Sequence, residues 1–163
     1  MKKIILTISC FLFCATMLFA MHKKKNKTPK SNTNITAVSM HRTACFGKCP
    51  DYIVEIKNDG IITYKGIRFT QYEGVYTKQF GKTDVTNLLK EFESYRVDTC
   101  KDMYEMLAAD LPGIEYIITY KDKTKHIMNA DFGPVFLRML SKNVDNFSHV
   151  DDTWKKISDK ATQ

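Results

Sequence analysis

The chain has 163 residues, of which 44% are hydrophobic and 26% charged, and its formal net charge is +7. Seven of the 25 lysines and arginines lie between residues 2 and 30, so the remaining 18 equal the 18 acidic residues, all of which follow residue 34. A nucleic-acid-binding domain carries a surplus of positive charge on its body. Because the body of this chain is neutral, we expect no nucleic-acid partner.

Residues 1–20 have the pattern of a secretory signal peptide. Two lysines precede an apolar run that ends at Phe19, and Ala20 supplies the small residue of a cleavage site. The pattern predicts export to the periplasm or the cell envelope. Two forms of membrane anchoring stay open. One is an uncleaved apolar segment, slightly shorter than the roughly 20 residues of a spanning helix, and the other is lipidation at Cys10.

Residues 21–34 are predicted to form a basic, flexible linker, because they are rich in lysine, asparagine, threonine and serine and contain almost nothing apolar. Its lysines could make weak contact with anionic lipid head groups, worth about 1 kcal/mol each. Residues 35–160 then form a single domain, which is long enough for one hydrophobic core.

Hairpins dominate the first half of this domain. Alternating apolar side chains predict strands at residues 36–42, 52–57, 61–65 and 72–80. Asn58-Asp59-Gly60 supplies the turn of the first hairpin. We expect Gly66 to end the third strand and Gly74 to form a bulge or bend in the fourth.

A change of period follows at residue 83. Thr83 is predicted to cap a helix whose apolar residues recur every three or four positions as far as Tyr95. Residues 97–109 are less regular. A second hairpin is then predicted, with strands at 114–120 and 125–130 and a turn at Asp122-Lys123.

A second helix is predicted to start at Gly133-Pro134, with proline in its first turn. Trp154 and Ile157 suggest a short closing helix. Hairpins in place of strand–helix alternation indicate an antiparallel sheet. The predicted fold class is therefore α+β, an antiparallel sheet built from hairpins with two or three helices packed on one face.

Three cysteines remain after signal cleavage: Cys45, Cys49 and Cys100. In an oxidising compartment a disulfide is the default for a close pair. A bridge needs Cα atoms about 4.4–6.8 Å apart, whereas four steps of extended strand span about 13 Å, so the chain must turn between Cys45 and Cys49. We expect Gly47 to permit this turn and Pro50 to lead into the next strand.

Other uses of these cysteines stay open at this point. Lys48 could stabilise a thiolate in a pair that exchanges disulfides. The Cys-x-x-x-Cys-Pro spacing is similar to that of copper-delivery proteins of the thioredoxin-like class, and soft thiolates suit copper(I). A histidine would be needed as well, and His41, His126 and His149 are available. A further alternative pairs Cys45 or Cys49 with Cys100.

Arg42 lies three residues before Cys45. We expect it to brace the cysteine loop through Asp51 or Asp110, with binding of an anionic ligand as the alternative. A metal could be held by His149 and the nearby Asp145, Asp151 and Asp152. The pattern is more typical of a solvated loop and the start of a helix. The sequence contains no recognisable nucleophile–histidine–carboxylate signature.

Two motifs carry a resemblance to a known family. The R-x-x-C-F-G-x-C-P-x-Y stretch from Arg42 to Tyr52 and the D-G-x-x-x-Y-x-G hairpin from Asp59 to Gly66 resemble those of exported bacterial domains of unknown function. Further matches are Gly74, Asp110-Leu111-Pro112 and Gly133-Pro134. The likeness extends over residues 35–144. It implies an envelope α+β domain, assigns no activity, and implies that Cys45 bonds to Cys49, because Cys100 lies outside the motif.

The leading hypothesis is therefore a non-enzymatic binding or accessory module of the cell envelope. We expect no cofactor and no metal, and a partner that is an envelope protein or a small ligand. The candidate functional loop consists of Arg42, Phe46, Gly47, Lys48 and Pro50 around the Cys45–Cys49 disulfide. The alternative is a thiol–disulfide or copper(I)-handling protein that uses the same two cysteines.

Overall fold

The domain is built from a seven-stranded antiparallel sheet and two α-helices, which confirms the α+β class and the antiparallel sheet. The computed structural model describes residues 33–106 and 110–161. The predicted signal peptide and all but the last two residues of the predicted linker lie outside the described residues. In the described part, neither helix combines the length and the apolar character needed to cross a membrane.

The strands and helices follow one another along the chain with short connections. The strands are β1 (Ile35–Arg42), β2 (Asp51–Lys57), β3 (Ile61–Arg68), β4 (Gly74–Gln79), β5 (Ile114–Tyr120), β6 (Thr124–Ile127) and β7 (Lys155–Ser158). The helices are α1 (Lys82–Ser94) and α2 (Val135–Phe147). The spatial order of the strands is β6-β5-β1-β2-β3-β4-β7, and every neighbouring pair is antiparallel.

Alternation along the strands and helical spacing along α1 and α2 bring their apolar residues into one buried cluster. In β1, for example, Val38 and Met40 are fully buried while Ser39 between them is half-buried. The cluster combines strand residues with residues of both helices: Val54, Ile56, Ile62, Tyr116, Ile118, Leu89, Phe92, Leu137, Leu140 and Val144. Burial of these side chains, at about 1.5–3 kcal/mol each, is the main force that holds the layers together.

The first predicted turn is confirmed. Gly60 has a φ of +97° and donates its N–H to the carbonyl of Lys57 at 2.9 Å. A residue with a side chain adopts such a φ only with strain, which explains why glycine stands at this corner between β2 and β3.

The predicted closing helix is wrong, because residues after Trp154 form β7 and pair with β4. Trp154 is buried and donates its indole N–H to the carbonyl of His149 at 3.1 Å, whereas Ile157 is exposed. The two side chains therefore do not share a helical face. Pairing with β7 satisfies backbone groups of β4 that an unpaired edge would leave open.

Two local predictions are also corrected. Helix α1 begins after Gly81, which has no side-chain cap, so Thr83 lies inside the first turn and is not the N-cap. Gly66 does not end β3, which continues to Arg68. A Cβ on Gly66 would overlap the carbonyl oxygen of Tyr72 and lie 2.6 Å from Oγ1 of Thr70, so this glycine permits the following loop to fold back on the strand.

We predict that Gly66→Ala lowers the free energy of unfolding by about 3 kcal/mol or more, because the added methyl group has no room. Gly47→Ala is the matched control. A Cβ there would meet only Sγ of Cys45 at an ordinary 3.7 Å, and we expect a change within about 1 kcal/mol. Denaturant unfolding of the two variants measures the difference, and equal losses would contradict the close approach at Gly66.

Candidate functional site

The candidate site lies at the end of the sheet where β1 leads into β2 through the bridged loop, residues 43–50. Cys45 and Cys49 are joined by a disulfide with Cα atoms 5.5 Å apart, which confirms the predicted bond. Cys100 is a free, half-buried thiol, so its pairing with either loop cysteine is wrong.

The bridged loop is anchored to the turn before β5. The N–H of Thr43 donates to the carbonyl of Gly113 at 3.0 Å, and the N–H of Gly113 donates to Oγ1 of Thr43 at 2.8 Å. At the tip, Phe46 is 91% exposed, with Gly47 and Lys48 exposed beside it. Gly47 does not adopt a positive φ, so the expectation that the turn needs a glycine there is wrong.

On the inward face of the sheet, Arg42 forms an ion pair with Asp145 of α2. Its Nε lies 3.2 and 3.1 Å from the two carboxylate oxygens, and its Nη2 donates to Asp145 Oδ2 and to Oγ of Ser141, the latter at 3.2 Å. Alternation along β1 places Arg42 on the same face as Val38 and Met40. The end of β1 is thereby tied to the helix by a fork-shaped, charge-assisted contact.

Tyr52, the second residue of β2, completes this inward network. Its hydroxyl donates to Asp145 Oδ1 at 2.6 Å, and its ring stacks on Tyr64 with centroids 5.4 Å apart. Burial raises the pKa of Tyr52, and its hydrogen bond and proximity to the Asp145 carboxylate raise the pKa further. The phenol therefore stays protonated and serves as a hydrogen-bond donor. Burial likewise raises the pKa of Tyr64.

On the outward face, Asp51 forms a second network. Its side chain is only 2% exposed. Its carboxylate accepts hydrogen bonds from Nε2 of His41 at 2.9 Å and from Nε of Arg68 at 3.2 Å. The prediction that Arg42 pairs with Asp51 or with Asp110 is wrong. Arg42 is directly opposite Tyr52 in the sheet, so Asp51 points to the other face, and Asp110 is exposed in the turn before β5.

Two clefts flank the inward network, and Pro50 and Tyr52 line both. The first has a volume of about 250 Å³, and Asp145, His149, Tyr64 and Tyr72 are among the residues that line it. The second has a volume of about 390 Å³, and Arg42 and Cys49 are among the residues that line it. The acidic residue of the ion pair thus lines one cleft and the basic residue lines the other.

The cluster considered as a metal site takes other contacts. Asp145 is held by Arg42 and Tyr52, and Asp151 accepts the N–H of Thr153 at 2.8 Å. Within residues 33–106 and 110–161, no group of three or more histidine, cysteine and carboxylate side chains is arranged to hold a metal ion. His126 is exposed on β6.

Sequence reasoning missed Asp145 and Ser141 as partners of Arg42. A signal was present, because Ser141 lies among the buried apolar residues of α2 and Asp145 follows it at an interval of four. A buried polar residue on a helix, and a half-buried carboxylate beside it, need polar partners from the facing layer.

We predict that Tyr52→Phe lowers the free energy of unfolding by about 1.5–2 kcal/mol, because Asp145 loses a short hydrogen bond from a phenol. Tyr76→Phe is the matched control. Its hydroxyl donates only to the exposed carbonyl of Glu73 at 3.3 Å, and we expect a change within about 0.5 kcal/mol. Chemical denaturation measures the free energy of unfolding of both variants. A Tyr52→Phe variant as stable as the control would contradict a stabilising role for the Tyr52–Asp145 hydrogen bond.

Comparison with known proteins places the chain in a family. The comparisons with curated proteins and with solved structures found no match. Residues 36–148 match a family whose description is "Domain of unknown function (DUF6438)". This range covers more than half of the chain, runs from β1 to the residue after α2, and includes the bridged loop and both networks. The chain therefore belongs to the DUF6438 family of domains of unknown function.

Proposed function

We propose that this protein is an exported, non-enzymatic binding module of the cell envelope whose bridged loop contacts a partner protein. The observation that carries the proposal is the 91% exposure of Phe46 at the tip of a loop that a disulfide closes. We also propose that both helices pack on one face of the sheet, which the single buried cluster supports. The basic linker, residues 21–34, would act as a spacer in weak contact with anionic lipid.

An aromatic side chain held in the open on a restrained loop suits recognition. Aromatic residues are enriched among the few interface residues that carry most of the binding energy. The disulfide and the two hydrogen bonds between Thr43 and Gly113 restrict the loop before binding, so less conformational entropy is lost when a partner covers Phe46.

Other exposed apolar residues lie on connections at the same end of the sheet. Phe69, in the loop after β3, is 47% exposed and has a φ of +56°, a strained conformation for an aromatic residue. Leu111 is 42% exposed in the turn that Gly113 ties to the bridged loop. These side chains would extend the contact that Phe46 begins.

The charged groups nearest the loop support a binding role over a catalytic one. Asp145 is satisfied by Arg42 and Tyr52, and Asp51 is satisfied by His41 and Arg68. A raised pKa makes Tyr52 a poor source of phenolate. Turnover of a substrate that a single polar substitution abolished would contradict this part of the proposal.

The second candidate function uses the cysteines themselves, in thiol exchange or copper(I) handling. It draws support from the half-buried position of Cys45 and Cys49 beside the exposed Lys48, since an accessible bridge can be reduced. The two candidates differ in the state of the sulfur atoms in the folded protein.

We predict that a photo-crosslinking amino acid in place of Phe46 gives a discrete adduct with one envelope protein in cells that express the protein at natural levels. The same replacement at Ile157, which is 62% exposed on β7, serves as the control and should give no such adduct. The size of the adduct on a gel and mass spectrometry of its partner are the measurements. Identical labelling from both positions, or none from position 46, would contradict a partner-binding loop.

We predict that the intact mass of protein isolated from the envelope corresponds to loss of residues 1–20, with no label on Cys45 or Cys49 after alkylation under native conditions. The reason is that the two sulfurs are bonded to each other. Reduction after unfolding should add two labels beyond that on Cys100. Rapid labelling of both loop cysteines after mild thiol treatment of the folded protein would favour the second candidate, and a retained residue 1–20 segment would contradict cleavage.

A further inference from the structure

The larger of the two clefts lies beside the bridged loop and has an apolar wall. The residues that contribute to it are Cys49 and Pro50 of the loop, Tyr52, Pro112 of the turn before β5 and Ile114, the first residue of β5. Its volume of about 390 Å³ falls in the range of small-molecule sites. An apolar group the size of one hydrophobic side chain would find matching surface there.

The polar part of this cleft is mainly basic. Arg42, Arg138 and Lys142 line it together with one carboxylate, that of Asp131. One oxygen of the Asp131 carboxylate already has a hydrogen-bond partner, because its Oδ1 accepts the N–H of Ile114 at 3.1 Å. Asp145, which lines the smaller cleft, neutralises the charge of Arg42. Arg42, Arg138 and Lys142 carry three positive charges, and Asp145 and Asp131 carry two negative charges. The cleft therefore has a net surplus of one positive charge.

Arg42 also retains hydrogen-bonding capacity. Its Nε and Nη2 are used by Asp145 and Ser141, whereas its Nη1 donates no hydrogen bond to any residue in the described part of the chain. The side chain is 28% exposed, and it contributes to the larger cleft but not to the smaller one. A guanidinium group carries five donors, so a paired arginine can still bind a second anion.

We propose that this cleft binds the carboxylate of a small amphipathic monoanion, with Arg42, Arg138 and Lys142 around the carboxylate and the apolar wall around the attached group. The surplus of one positive charge matches one carboxylate, and the apolar wall excludes a fully hydrated ion such as phosphate as the best ligand. This inference rests on the proposed function, because it names the ligand class for a cleft beside the same loop. Two sources share this chemistry, the free C-terminus of a peptide and a free fatty acid.

The test uses three soluble probes with the purified, disulfide-intact protein. N-acetyl-leucine represents a peptide C-terminus, octanoate represents a fatty acid, and N-acetyl-leucinamide is the neutral match of the first. We expect saturable binding of at least one acid below about 10 mM, by calorimetry or NMR titration. The amide should bind about ten-fold more weakly than the acid, because it cannot accept charge-assisted hydrogen bonds. The tighter of the two acids identifies the source.

Two double variants of equal charge change localise the binding. We expect Arg138→Gln with Lys142→Gln to weaken binding of the better acid by about ten-fold or more. Lys82→Gln with Lys90→Gln on α1 is the control and should change binding by no more than about two-fold, because these exposed lysines do not line the cleft. All four positions are exposed helix residues, so both proteins should fold.

Several results would overturn the inference: equal binding of the acid and the amide, equal effects of the two double variants, or absence of saturable binding for both acids. These outcomes are separate from the fate of the proposed function. Crosslinking from position 46 would still report a partner-binding loop if the cleft bound no carboxylate, and carboxylate binding would stand if position 46 gave no adduct.

Discussion

The contact between Arg42 and Asp145 determines how α2 meets the sheet at the end that carries the bridged loop. Two charges that lose much of their water must be paired, and removing one partner of a fully buried pair costs about 3–5 kcal/mol. The cost is smaller here because each side chain is 28% exposed. Asp145 also accepts the Tyr52 hydroxyl, so one carboxylate on the helix holds the last residue of β1 and the second residue of β2. The position of the loop thus depends on a residue about a hundred positions further along the chain.

The loop is restrained from both faces of the sheet because neighbouring strand residues point in opposite directions. Arg42 and Tyr52 contact the helix on the inward face, while His41 and Asp51 contact Arg68 on the outward face. A disulfide that closes so short a loop lowers the conformational entropy of the unfolded chain only a little, and this stabilises the folded state by only about 2 kcal/mol. Its main effect is on the shape of the loop, whereas the two polar networks and the Thr43–Gly113 hydrogen bonds determine where the loop sits.

Local patterns were sufficient to predict most of the fold. Alternation identified β1 to β6, the turn at Gly60 followed from the chemistry of the Asp-Gly pair, and helical spacing identified α1 and α2. The pairing of β7 with β4 was not predictable in this way. A short polar segment becomes a strand because the edge strand β4 offers it unpaired backbone groups, and its own residues do not indicate a strand. The partner of Arg42 was hidden for the same reason. The sequence pattern assigned Asp145 to a solvated loop and helix start, and only the packed structure shows that this half-buried residue of α2 meets Arg42.

The energetics of association link Phe46 to the neighbouring cleft. Full burial of a phenylalanine side chain stabilises a complex by about 1.5–3 kcal/mol, whereas association costs at least about 4 kcal/mol in lost translational and rotational freedom. Phe46 alone is therefore too small an anchor, even on a restrained loop. A partner that also covers Phe69 or Leu111, or that places a carboxylate beside Arg42, gains the additional free energy without disturbing the fold, because these groups already lie on connections held in place by the sheet. At the end of the sheet that carries the bridged loop, an apolar anchor and surplus positive charge therefore occur together.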